Sequence, residues 1–431
     1  MSGGVGALID AIRSVRLDQQ RHSRPATVRT SHQRAYHGRM TEQCDVAIVG
    51  GGLVGMSLAA SLEASDLSVL HIEAQAPVLI EQSWDERHFA LGKASVERLQ
   101  LINAWPDSLA GTPIREVHVS RAGEFGRVLL RASDMGMQAF GATVPARQLV
   151  AALEQRLAQC VRVRRWRPAR LLQCTLAASH VDLRVAMHGC DHSVRCKLIV
   201  AADGSESAIR TAREIPLQRV DYQQTAIVCA AEVEKPHLGR AFERFTDDGP
   251  VALLPLNDNR CGVVCTLSAA AAGPALALGD ADFARLLQAH FGHRLGRIVR
   301  VGRRQPWPLR LVLSERVVDQ RLVLIGNAAQ TIHPIGAQGF NLGLRDASTL
   351  AACLRQGSDP GAEEMLLRYA QEREADRTHT IAMSAGMLRL SASSGPVLQG
   401  LRTMGMALID RVPALARMLA QSAMGYRTSA T

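Results

Sequence analysis

The chain has 431 residues, 47% of them hydrophobic and 21% charged, a composition that suits a globular protein with two sizeable cores. No run of about twenty residues is both apolar and free of Gly, Pro and charge, which excludes a spanning helix; the nearest, "CGVVCTLSAAAAGPALALG", is broken by Gly273 and Pro274. The net charge of +10 would suggest nucleic acid or an anionic membrane, but half of it lies in residues 1–40, where seven Arg and two Asp give +5.

That first segment has no regular apolar period, and it reads as a disordered leader ahead of a start at Met40. A targeting peptide and a lipid- or nucleic-acid-binding arm are the other readings. For the remainder no nucleic-acid partner is expected. Nine cysteines, an odd number without a Cys-x-x-Cys pair or zinc spacing, read as reduced thiols in a cytoplasmic protein without a metal.

In chain order, "CDVAIVG", "GGLVGMSLAASLEAS" and "LSVLHIEA" read as strand, helix and strand, a βαβ unit and hence a parallel sheet. Gly50-x-Gly52-x-x-Gly55 lies at the strand-to-helix turn. There Gly50 allows the tight turn, Gly52 the approach of a pyrophosphate to the backbone, and Gly55 close helix packing. The phosphates would rest on the helix N-terminus, with Glu73, eighteen residues beyond Gly55, receiving an adenosine ribose.

Further on, "CKLIVAADGSESAIR" puts Asp203 and Gly204 at the carboxyl end of a strand, the usual ligand edge of an open α/β sheet. The runs "QQTAIVCAAEV", "GPVALLPL" and "RCGVVCTLS" are spaced like an antiparallel sheet. "RLVLIG" then leads into "GNAAQTIHPIGAQGFNLGLRD", a stretch too small and glycine-rich to be core. Helical spacing from Phe340 predicts a helix starting near Gly339, its N-terminus pointing out of the glycine loop. Such a terminus stabilises negative charge, which a reduced flavin carries and a nicotinamide does not.

Together these motifs resemble the class A flavoprotein aromatic hydroxylases, and among them those of ubiquinone biosynthesis, over about residues 44 to 426. The resemblance implies an α/β fold with a Rossmann-like FAD domain of glutathione-reductase type, interrupted by a β-rich substrate domain and followed by C-terminal helices. The expected divisions are 41–108, 143–215 and 310–360 for the FAD domain, 109–142 and 216–309 for the substrate domain, and 361–431 for the helices. It implies bound FAD, with NAD(P)H and O2 as co-substrates, and ring hydroxylation of a polyprenylated phenol through a C4a-hydroperoxyflavin.

By the same resemblance Asp203 and Gly204 serve both FAD and the nicotinamide, and Gly326 and Asn327 contact the ribityl and pyrophosphate region. His333, Pro334, Gly336, Gln338, Gly339 and Asn341 line the isoalloxazine, with His333 and Pro334 as positioning groups and no assigned base. Arg87 and Arg147 fall near the flavin or its phosphates. The chain departs from the wider class, which has Gly-Asp-Ala-Ala-His where it reads Gly326-Asn327-Ala328-Ala329-Gln330. Its Gly336-Ala337 order is that of the simpler phenol hydroxylases.

From about residue 360 the pattern is helical, with breaks at Pro396 and Pro413. Arginines and methionines interleaved at helical spacing suit either packing on the chain's own domains or peripheral contact with the inner face of a membrane. A soluble-phenol hydroxylase, and a non-catalytic FAD-binding subunit of a biosynthetic complex, are the alternative functions.

Overall fold

The computed structural model describes residues 41–76, 88–106, 109, 111–392 and 396–425. The arginine-rich segment 1–40 and Arg87 lie outside the described residues.

The βαβ unit comprises β1 (Glu42–Val49), α1 (Leu53–Leu62) and β2 (Val69–Ile72). Next come β3 (His88–Gly92), α2 (Lys93–Leu101), β4 (Thr112–Ile114), the hairpin of β5 (Glu116–Arg121) and β6 (Arg127–Arg131), and β7 (Gly141–Pro145). Helix α3 (Ala146–Ala158) leads to β8 (Val163–Trp166), β9 (Ala169–Leu176), β10 (Val181–Met187) and β11 (Cys190–Ala201).

After the short α4 (Ala208–Ala212), β12 (Leu217–Val233), β13 (Arg240–Phe245), β14 (Pro250–Pro255) and β15 (Arg260–Ser268) follow. Helices α5 (Ala269–Ala277) and α6 (Asp280–Phe291) precede β16 (Ile298–Val301) and β17 (Gln305–Ser314). The chain returns through β18 (Val318–Asp319), β19 (Leu322–Leu324) and β20 (Gln330–Thr331) to α7 (Gln338–Leu354). The last helices are α8 (Glu363–Ala392), α9 (Pro396–Arg411) and α10 (Pro413–Met424). Pro396 and Pro413 each open a helix, where a missing N–H costs nothing.

The first sheet has the order β18-β19-β11-β1-β2-β8, parallel from β19 to β8. Val46, Ala47 and Ile48 of β1 are fully buried, as a strand covered on both faces requires. A second sheet, β20-β17-β12-β15-β14-β13-β5-β6, draws the early hairpin to the later strands through a parallel β5–β13 pairing. One of its faces packs Phe242, Leu253, Val263 and Cys265 against Phe283 and Leu287 of α6.

Between the two sheets a small one, β3-β7-β4, places β3 beside the start of α7. Asn341 joins them, accepting from Gly92 N–H at 3.0 Å and donating to the Ala90 carbonyl at 3.0 Å. The tail packs on the chain itself: Ala420 and Met424 of α10 are buried against Val128 and Leu130 of β6. Asp410 accepts from the Leu129 amide at 2.9 Å, and Arg402 pairs with Glu124 at 2.5 Å. Leu408, Met404 and Met418 remain exposed. Among the described residues no helix is long and apolar enough to cross a membrane.

Candidate active site

The three glycines form a cradle, and at two of them the geometry admits little else. Gly50 has φ +118°, and a Cβ there would run into the Ala202 carbonyl. A Cβ on Gly55 would strike the Gly50 carbonyl, so α1 can start close against the sheet only with glycine. Gly52 differs: it caps α1 in extended conformation, and nothing of the protein lies within 4 Å of where a Cβ would stand. Space in front of a helix N-terminus with free amides suits a pyrophosphate. Glu73, directly after β2, accepts from the Gly51 amide and, at 2.6 Å, from the Gln75 amide. Its carboxylate therefore stands at the mouth of the cradle. Arg147 is half-buried in the first turn of α3, which packs on α1.

Across the same sheet edge, Asp203 follows β11. One carboxylate oxygen accepts from the Ala208 amide at 2.9 Å; the other is buried without a hydrogen-bond partner. Gly204 beside it has φ +91°. An orphaned acceptor next to the glycine cradle fits a hydroxyl-bearing cofactor, because such a group regains its free energy only when a donor arrives.

The loop from Gly326 is more buried than its composition predicts. Gly326, Ala328, Ala329, Gln330, Ile332, His333 and Ile335 are all buried, which corrects the expectation that this stretch lies outside the core. The small residues are there because the loop passes between α1 and other elements: a Cβ on Gly326 would approach Val54 to 3.1 Å. Asn327 alone between positions 326 and 330 is exposed. Helix α7 begins at Gln338, after Gly336 and Ala337 in left-handed conformation at φ +66° and +53°. Gly339 lies in its first turn, and Gln338 donates to the Gly336 carbonyl at 3.2 Å.

His333 is 1% exposed, and its ring meets Tyr222 edge-on with centroids 5.2 Å apart. Its Nδ1 accepts from the Ile335 amide at 3.3 Å, so the neutral ring carries its proton on Nε2, which is buried and unpartnered. Burial pushes the imidazole down to about 4, leaving it neutral at physiological pH.

His333, Pro334, Gly336 and Asn341 line a cavity of about 170 Å³. Its far wall is the free face of the second sheet, with Ala252 and Leu254 of β14 and Val264 of β15; Met424 of α10 closes one side. Glu243 of β13 and Thr266 of β15, whose hydroxyl is buried and without a hydrogen-bond partner, are the polar residues on that largely apolar wall.

Several residues outside the expected set hold this arrangement. Arg210 is buried and donates to the Ala328 carbonyl at 2.8 Å and the Ser205 carbonyl at 2.6 Å, tying the Asp203 loop to the Gly326 loop. Asp346 accepts from Gly326 N–H, from Gln330 at 2.6 Å and from Arg373 at 2.8 Å. Arg210 and Asp346 belong to the motif stretches themselves, so their spacing was a usable signal. Arg373 and Glu243 carried none, being ordinary charges in a helical and a β-like run.

The FAD binding domain family model matches residues 43–384, most of the chain, and the chain belongs to that family. Ubiquinone hydroxylase UbiL of Rhodospirillum rubrum is 34% identical over 395 residues, covering 90% of this chain and 91% of that protein. 3-Demethoxyubiquinol 3-hydroxylase of Escherichia coli is 30% identical over 398 residues, covering 90% of this chain and 100% of that protein. Of solved structures, p-nitrophenol 4-monooxygenase PnpA from Pseudomonas putida DLL-E4 superposes with TM-score 0.72 at 15% identity, covering 90% and 100% of the two chains, which is a likeness of fold. This chain is an FAD-dependent monooxygenase, with NAD(P)H and O2 as its co-substrates.

Proposed function

We propose that the enzyme hydroxylates the aromatic ring of a polyprenylated phenol in ubiquinone biosynthesis. The observation that carries this reading is the apolar cavity of about 170 Å³ against the His333–Asn341 loop. An apolar cavity of roughly 150 Å³ holds benzene, so one substituted ring fits and a polyprenyl chain must continue outward. Ala420 and Met424 on the cavity wall belong to α10, so the chain would leave beneath the C-terminal helices. Exposed Met404, Leu408 and Met418 on those helices support peripheral contact with a membrane surface, from which a polyprenyl substrate would enter. Membership of a ubiquinone-biosynthesis complex belongs to the same reading.

In this reading Gly50, Gly52 and Gly55 receive the pyrophosphate, Glu73 the adenosine ribose, and Arg147, with Arg87, the phosphates. Asp203, Gly204, Gly326 and Asn327 hold the ribityl region, and Asp203 also meets the nicotinamide. The α7 N-terminus, with Gly336, Gln338 and Gly339, faces the isoalloxazine, where its amides and dipole favour negative charge. When bound, FAD supplies reduction by NAD(P)H and transfer of one oxygen atom from O2 to the ring. The protein excludes water, through the apolar wall, and orients the ring against Pro334 and His333.

The test is anaerobic reduction of the flavoprotein by NADPH and by NADH, with and without a prenylated methoxyphenol, followed by labelled O2 and mass analysis of the product. Phenol-accelerated reduction with one labelled oxygen in the ring is the expected result. Reduction indifferent to the phenol, yielding peroxide alone, would reject this substrate.

A further inference from the structure

Glu243 has no task within the fold. Its strand neighbours in register are Val119 of β5 and Ala252 of β14, and Ala252 in turn faces Val264 of β15. Glu243, Ala252 and Val264 line the cavity, and the carboxylate is the single charge among them. Among the described residues it has neither a hydrogen bond nor an ion pair. Glu243 is half-buried and lines the cavity, and desolvation pushes its pKa up to about 7.

Nearby charges are engaged elsewhere. Arg240 on the same strand pairs with Glu116, Arg244 donates to the His290 carbonyl, and Arg121 of β5 pairs with Asp247 and Glu124. His118 packs on Phe242, which points to the opposite face. The one other titratable group on the cavity wall is His333, neutral and with its Nε2 unpartnered. A carboxylate without a partner in a largely apolar wall is costly to desolvate, and such a group is retained where a ligand completes it.

Resting on the phenol reading above, we infer that Glu243 is a catalytic residue that receives the ring hydroxyl of the substrate and takes its proton. The phenol O–H bond breaks, its electron pair stays on the phenolate oxygen, and the proton passes to a Glu243 carboxylate oxygen. The phenolate so formed is the electron-rich ring that attacks an electrophilic oxygen. The oxidant is O2, reduced with two electrons from NAD(P)H through the flavin: as the ring C–O bond forms the O–O bond breaks, the ring C–H proton passes to the second oxygen atom, which leaves as water, and Glu243 returns its proton to the phenolate oxygen of the product. His333 Nε2–H offers the cavity a donor, and a neutral donor beside a carboxylate suits an oxygen that both donates and accepts.

The experiment compares wild type with Glu243→Gln and Glu243→Asp, all as FAD holoenzymes. Flavin absorbance changes give the affinity for a short-chain prenylated methoxyphenol and for its O-methyl ether, which cannot donate. Product formed per NAD(P)H oxidised is followed from pH 5.5 to 8.5. Wild type is expected to prefer the phenol over the ether at least tenfold and to couple better as pH rises through about 7. Glu243→Gln is expected to lose most of that preference, divert reducing equivalents to peroxide and lose the pH limb, while Glu243→Asp recovers part of each. A Gln variant with unchanged preference, coupling and pH profile overturns the role of Glu243 and leaves the substrate assignment standing. A wild type that binds neither phenol nor ether overturns both.

Discussion

Asp346 accepts a hydrogen bond from the Gly326 amide at 3.0 Å, so the helix after the glycine loop holds the first residue of that loop. The same carboxylate takes Gln330 and the buried Arg373, and Arg373 continues to Asp376 and from there to Arg345. A chain of buried polar groups thus fixes the loop's backbone before any cofactor binds.

Replacing Asp346 by Asn puts an amide donor against donors and strips Arg373 of one buried partner. Because breaking a buried pair leaves charge uncompensated, unfolding free energy should fall on the order of 3 kcal/mol, with easier FAD release. Urea titration and flavin fluorescence after dilution check this; an unchanged midpoint would deny the network its role.

The glycines of the cradle should separate by effect. Gly50→Ala forces a Cβ into the Ala202 carbonyl at φ +118°, and the expected outcome is unfolding or poor recovery. Gly52→Ala meets no protein atom within 4 Å, so thermal stability of the apoprotein should match wild type while FAD affinity drops at least tenfold, to be measured by titration. Equal FAD affinity would place the pyrophosphate elsewhere.

The two cavity groups should pull the pH dependence of stability in opposite directions. His333 ionises at about 4 when folded and near 6.5 when unfolded, so between these values the unfolded chain binds more protons and stability rises with pH. Stability from this group should be lower by about 2 kcal/mol at pH 5 than at pH 8, and His333→Gln should remove the slope. Glu243 ionises at about 7 when folded against 4.5 unfolded, so the folded chain binds more protons and stability falls as pH rises through that window. Glu243→Gln should therefore gain about 2 kcal/mol on wild type between pH 5 and pH 8. Parallel stability curves for wild type and both variants would show that neither group is desolvated.

Removing residues 396–431 takes Ala420 and Met424 from the cavity wall. Water would then reach the site, and the share of NAD(P)H oxidation ending in peroxide should rise severalfold, measured by peroxide assay. Sedimentation with anionic vesicles tests the other role of these helices: pelleting should be lost in the truncated chain, and retained pelleting would locate lipid contact elsewhere.

The local conformations of the candidate cofactor site were legible because they depend on backbone. Gly50, Gly52 and Gly55 at a strand-to-helix turn, Asp203-Gly204 after a strand and the Gly326–Asn341 run each report a local conformation, and local conformation is written in short spacings. The burial of the Gly326 loop was misread for a related reason: small residues signal close approach, and composition does not say whether the approaching partner is ligand or protein.

What sequence alone determined, then, is the nucleotide-binding framework, since periodicity and glycine placement specify strands, turns and helix starts with little help from distant residues. Tertiary structure decided the largely apolar cavity. Its walls come from β13, β14 and β15, from the His333 loop and from α10, which meet through sheet pairing across more than a hundred residues of chain. A single glutamate among 40 acidic residues acquires meaning only when β13 places it on a largely apolar face where, among the described residues, no cation pairs with it. Register and burial, which set that environment, are properties of the assembled sheet.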